Sequence, residues 1–292
     1  MSSGGKRGAT ARARSFSLLL ASTALSALAL ATPAAAQDST WLLNPATGDF
    51  NDPANWTAGV PPGTAFFGQS NTTNLFFTLD TTLGGMTFNA NAPNFMIGNL
   101  GQIVTLDGAG IVVNGGSVTI DNQDELNFAN SATAGKATIN NTGFLTFSNS
   151  SKAGTATINN QFDLVFEDSA SADRATINNT LSGVTFLGSS TAANSSINND
   201  GGAVGFFDSS RAGNSTIRAN NGGVVFFFDD SNGDNARIIA EAGSFVDFAG
   251  ATGGNGVFTV GSIEGAGDFS IGGEHTQFVV GGNNRSTIVS GI

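Results

Sequence analysis

Residues 153–169 read Ala153-Gly-Thr-Ala156-Thr157-Ile158-Asn159-Asn160-Gln-Phe-Asp-Leu164-Val165-Phe166-Glu-Asp168-Ser169, and this unit recurs along the chain. Its isoleucine falls at Ile120, Ile139, Ile158, Ile177, Ile197, Ile217 and Ile238, in steps of 19, 19, 19, 20, 20 and 21 residues. An apolar-x-Phe pattern follows each isoleucine: Leu126/Phe128, Leu145/Phe147, Leu164/Phe166, Val184/Phe186, Val204/Phe206, Phe226/Phe228 and Val246/Phe248. A fixed period near 20 marks a solenoid, in which each repeat packs on its neighbours.

Within one unit the apolar spacing is two. Ala156-Thr157-Ile158 reads as a short strand with Ala156 and Ile158 inward, and Leu164-Val165-Phe166 as a second with Leu164 and Phe166 inward. Gly, Asn and Ser interrupt every window long enough for a helix, so the helical alternative fails. An antiparallel sandwich would not need one side chain at one phase in consecutive units. A parallel β-helix does, because its coils stack in register at ~4.8 Å. The expected fold is all-β: a right-handed, single-stranded parallel β-helix with 19–21-residue coils, the hand following from the rule for parallel crossovers.

Two columns locate corners. Gly135, Gly154, Asp173, Ala193, Gly213 and Asp234 stand four residues before successive isoleucines, and Gly and Asp tolerate left-handed backbone. Ala134, Ala153, Ala172, Ala192 and Ala212 precede them and leave room for a tight bend. The pairs Asn140/Asn141, Asn159/Asn160, Asn178/Asn179 and Asn198/Asn199 are expected to form a polar ladder at one corner, each amide bonding to the next.

Three regions follow. Residues 1–36 carry Lys6, Arg7, Arg12 and Arg14, an apolar run from Phe16 to Leu30, and Pro33-Ala34-Ala35-Ala36 before Gln37. This is the pattern of a secretory signal peptide. The apolar core is short and rich in Ala, Ser and Thr, which disfavours a transmembrane anchor. Residues 37–63 hold Trp41, Trp56 and four of the six prolines, and read as an irregular cap over the first coil. Sugar stacking by the tryptophans is the functional alternative. Residues 64–292 form the β-helix, most regular over 117–250, with looser coils before and after.

Composition excludes several chemistries. Without the leader, 7 basic and 22 acidic residues remain, a net charge of −15 (7 minus 22); that sign disfavours nucleic acid as a partner. Cysteine is absent, so disulfides, thiol catalysis and thiolate metal sites are all excluded. The one histidine, His275, offers no metal pair or triad, and reads as a solvent-facing rung residue. Asp229, Asp230 and Asp234, with Asn232 and Asn235, lack the closing glutamate of a calcium loop. No cofactor, metal or catalytic residue is assigned, and the chain reads as a non-enzyme.

The outward positions are mostly Thr, Ser, Asn and Gly, where a β-helix lyase or hydrolase would cluster carboxylates with Arg or Lys. Thr138, Thr157, Thr176 and Thr216 make a flat outward file. A second threonine file, which ice-binding solenoids use, is broken at Val165, between Thr146 and Thr185, and again at Gly205. If Phe206, Phe226 and Phe228 point inward, Phe207 and Phe227 point outward on adjacent coils and form a candidate contact patch. The alternative is that a loop from a neighbouring turn covers them.

The recurring unit Phe147-Ser-Asn-Ser-Ser-Lys-Ala-Gly-Thr-Ala-Thr-Ile-Asn-Asn160, the entry Asn55-Trp56-Thr-Ala-Gly-Val-Pro-Pro62 and the segments Gly261–Phe269 and Val279–Ile292 together resemble the passenger domains of bacterial autotransporters. The resemblance implies a non-catalytic exported passenger that presents a surface for adhesion or matrix contact, with a host or matrix surface, protein or glycan, as partner. It also implies an outer-membrane β-barrel translocator, which the sequence does not contain. A truncated product, a fragment and a passenger whose barrel is encoded elsewhere all fit. The expected location is the cell surface or the extracellular medium, or the periplasm if no barrel is supplied. A carbohydrate-active β-helix enzyme is the alternative function.

Overall fold

The computed structural model describes residues 37–289; the leader expected over Met1–Ala36 lies outside them. The chain winds into a β-solenoid of about ten turns, all parallel sheet, whose only helical element among the described residues is the 3-10 turn Pro53–Asn55. Two long sheets run its length. One has 12 strands and carries the apolar-x-Phe segments, such as Asp163–Phe166. The other has 11 strands and carries the isoleucine segments, such as Thr157–Asn160.

Each regular coil has a third, shorter side. Single parallel bridges link Thr133, Lys152, Ser171, Thr191, Arg211 and Asn232 up the stack. In the last coils this side widens into the strand pair Val257–Val260 and Gln277–Val280.

Like residues stack on like residues. Ile97, Ile120, Ile139, Ile158, Ile177, Ile197, Ile217, Ile238 and Ile263 are paired in register from coil to coil, and all are buried. The rings of Phe128, Phe147, Phe166, Phe186, Phe206 and Phe227 stand 4.7–4.9 Å apart and nearly parallel. Ring spacing thus equals strand spacing, so the column stacks without bending the ladder.

The corners have separate causes. The column Gly135, Gly154, Asp173, Ala193, Gly213 and Asp234 is left-handed throughout, with φ from 49° to 65°. A second left-handed column, Asn130, Asn149, Asp168, Gly188, Asp208 and Asp229, flanks the bridge leg on its other side. In it, Asn149 N–H donates to the Asp168 carboxylate at 2.9 Å and Asp208 N–H to Asp229 at 3.2 Å, so side chains of one coil cap the backbone of the coil before.

The third corner holds the asparagines, which form two ladders rather than one. Ile158 and Asn160 point inward, so Asn159 points outward. The inner column Asn99, Asn122, Asn141, Asn160, Asn179 and Asn199 is buried, each Nδ2–H donating to the Oδ1 of the next coil at 2.6–2.8 Å. The outer column runs the opposite way: Asn178 donates to Asn159, Asn159 to Asn140, and Asn140 to Asp121. Each direction has a cause. Backbone carbonyls, such as Gly183 O facing Asn160, hold the inner amide nitrogens toward the following coil. The acceptor-only carboxylate of Asp121 starts the outer column.

Residues 37–63 close the first coil. Ser39–Thr40 extends the 12-stranded sheet by pairing with Ala65 and Phe66. Trp41 and Trp56 are buried edge to face at 5.0 Å, and Trp56 lies over Phe67 at 5.7 Å. Their indole N–H groups donate to Thr72 O and Phe50 O. With rings and donors both engaged inside, neither tryptophan offers a face for sugar stacking.

Candidate functional site

The expected outward pair is half corrected. Phe207 faces outward, but Phe227 is fully buried and continues the phenylalanine column between Phe206 and Phe248. The inward pair on this coil is therefore Val225 and Phe227, with Phe226 and Phe228 outside. The turn before it, Asn220-Asn221-Gly222-Gly223, reaches the inward valine eight residues after Ile217, where the coil before needs seven from Ile197 to Val204. One added residue reverses every side chain. The run Phe226-Phe227-Phe228 has no alternation of its own to signal that reversal. The signal lay one coil later, where Val246/Phe248 also stands 8 and 10 residues after Ile238.

The outward aromatics are thus Phe207, Phe226 and Phe228. Their centroids form a triangle with sides of 5.5, 5.6 and 5.7 Å. Phe207 and Phe228 lie near parallel, and Phe226 meets both edge to face. Two glycines make the room: a Cβ at Gly205 would overlap the Phe226 and Phe207 rings, and one at Gly250 would overlap Phe228. Phe228 is 39 % exposed and the other two are half-buried.

Charge around the trio is one-sided. Asp208 and Asp229 follow Phe207 and Phe228 directly, Asp230 comes next, and Asp247 pairs in register with Phe226. The 12-stranded sheet contains none of the seven described Lys and Arg residues; Arg218 and Arg237 lie in the 11-stranded sheet and the others lie outside strands.

A second apolar ridge crosses the asparagine corner. Phe144 and Phe162 meet edge to face at 5.0 Å, and Leu181 follows on the next coil, 80 % exposed.

The remaining candidates fall elsewhere on the coil stack. The threonine file Thr119, Thr138, Thr157 and Thr176 runs in register up the 11-stranded sheet, then continues through Ser196 and Thr216. His275 is not a solvent-facing rung residue: it is partly buried beside Phe258 and Phe278, with Nδ1 at 3.1 Å from Ala251 O. Asp234 pairs with Arg211 at 3.2 Å, whereas Asp229 serves the corner ladder, so the acidic turn is divided between two corners. No group of three or more His, Asp or Glu able to hold a metal occurs among the described residues.

A polar recess of about 440 Å³ opens beside Gly213, Asn214, Asp234 and Asn235. The asparagine side chains in it bond to one another, Asn235 to Asn214 and Asn214 to Asn194. Beyond it, Arg237 and Glu264 form a two-point ion pair at 2.9 and 2.6 Å. The hydrogen bonds from Arg237 hold the Glu264 carboxyl below its ordinary value, and Glu264 in turn raises the guanidinium. That is the pattern of a structural ion pair, in which each partner favours the other's charge. Comparison with protein-family models, with curated proteins and with solved structures finds no match.

Proposed function

We propose that the chain is an exported, non-catalytic β-solenoid of the autotransporter-passenger kind, which presents a surface for adhesion or matrix contact. One observation carries the reading. The asparagine side chains of the coil stack bond to one another in ladders, while three aromatic rings gather on the outer face of one sheet at Phe207, Phe226 and Phe228, fixed in register. Contiguous exposed apolar surface is characteristic of contact sites. The leader pattern before Gln37 supports export, and the exported chain is expected to begin at Gln37 by intact mass.

Beads coated with the purified chain test the adhesive role. They are expected to be retained on matrix-coated surfaces above beads coated with a blocking protein; equal retention on every surface would refute it. The enzymatic alternative is tested on the same preparation. Turnover of pectin, glucan or peptide that one carboxylate substitution abolishes would replace this reading with a hydrolase or lyase.

A further inference from the structure

We propose that the outer face of the 12-stranded sheet around Phe207, Phe226 and Phe228 docks a basic, apolar segment of another protein. The inference rests on the reading of a presenting solenoid and names the face and its partner.

Three observations converge. The rings are held open by Gly205 and Gly250, positions where any side chain would overlap them. Their neighbours Asp208, Asp229, Asp230 and Asp247 are carboxylates. No Lys or Arg lies anywhere in that sheet to neutralise them. Carboxylates accept hydrogen bonds and cannot donate. A neutral glycan can donate its hydroxyls to them but brings no positive charge to offset the four carboxylates. A guanidinium or ammonium group answers both features, because it brings donors and a charge to the carboxylates and is attracted to ring faces. Phe207 and Phe228, 5.7 Å apart, are in mutual contact and leave no slot between them. The cation therefore lies on the outer surface of the trio and apolar side chains of the partner cover the rest. The charge field of the sheet steers the approach.

The test is fluorescence anisotropy of the purified chain with a labelled peptide that alternates arginine and leucine. Controls are the same peptide with glutamate for arginine and a neutral glucan oligosaccharide. Phe226→Thr removes the central ring and places at that site the residue that Thr185 already provides in the same outward column. Asp208→Asn with Asp229→Asn removes charge and keeps the corner, since Asn130 and Asn149 hold the same left-handed column. The arginine–leucine peptide is expected to bind and the glutamate peptide not. Phe226→Thr should weaken binding about tenfold, and the double Asn variant should flatten its salt dependence. No binding of the arginine–leucine peptide, equal binding by Phe226→Thr, or saturable binding of the oligosaccharide at these rings would overturn the proposal. Beads still retained on matrix surfaces in that event would leave the adhesive role standing on another face.

Discussion

Asn160 donates its amide to the Oδ1 of Asn179 at 2.7 Å while accepting from Asn141 at 2.6 Å, and all three side chains are buried. The same Nδ2 also faces Phe162 O and Gly183 O, at 2.7 and 2.9 Å. One side chain thus ties three coils together at the only corner of the repeat that has no left-handed residue in every turn. A buried amide is retained here because each of its polar atoms has a partner.

Asn160→Ala removes the ladder acceptor of Asn141, leaving its amide only Asp163 O, and leaves the Asn179 oxygen without its donor. An unmade bond at a buried polar group costs about 1–3 kcal/mol, so a loss of about 2–4 kcal/mol is expected in urea unfolding. Asn160→Asp should be worse at neutral pH, because a carboxylate would face three acceptors. Burial among acceptors raises the folded-state value of that carboxyl, so its neutral form is favoured. The variant should regain stability as pH falls, and its deficit against Ala should narrow. An Asp variant as stable as the parent at neutral pH would show that the ladder contributes nothing.

The Ile and Phe columns were legible in the sequence because each coil repeats one residue type at one phase. The left-handed column at Gly154 was legible for the same reason. The second one, through Asn149 and Asp168, was visible only as turn chemistry at single sites, since Asn, Asp and Gly alternate there. The two asparagine ladders merge in sequence, as adjacent residues, and separate only when a strand puts Asn159 and Asn160 on opposite faces. The candidate site failed where the period changed. At Phe226-Phe227-Phe228 the hydrophobic pattern permits either register, and the length of the preceding glycine turn decides it. Charge segregation was not legible at all, because it depends on which sheet each Lys and Arg joins.

Phe166 and Thr157 lie in one coil and test the inward assignment together. Phe166 is fully buried between Phe147 and Phe186, at 4.8 and 4.9 Å. Phe166→Ala is expected to cost about 3–5 kcal/mol. Thr157 points outward, and Thr157→Ala should stay within about 0.5 kcal/mol. Because solenoids can unfold in parts, amide exchange in the Thr157–Asn160 and Asp163–Phe166 strands of that coil should accompany the denaturant melts. Equal stability of the two variants would mean that the ring stack is not the core.

Near the far end, Arg237 and Glu264 replace the amide ladder as the link between coils. Arg237 pairs in register with Ser262, so its guanidinium reaches diagonally to Glu264, and Ser262 Oγ donates to the same carboxylate at 3.1 Å. Hydrogen bonds from Arg237 are the main cause of the lowered Glu264 value, with Ser262 and the charges of Arg237 and Arg285 adding to it against the opposing effect of burial. A carboxyl depressed in the folded state stabilises it fully above its unfolded value, here the ordinary 4.5. That contribution is lost as pH falls through the lower, folded value. The pair is partly exposed, so its worth is about 1 kcal/mol. Glu264→Gln should therefore unfold more easily than the parent at neutral pH, and the difference should shrink below pH 4.5 as the parent's own carboxyl protonates. The gap should be larger in amide exchange of the Ser262–Gly265 strand than in that of Thr157–Asn160, because each coil rests on its neighbours alone. A difference between parent and variant that stays constant from neutral to acid pH would mean that the ion pair does not hold the last coils in place.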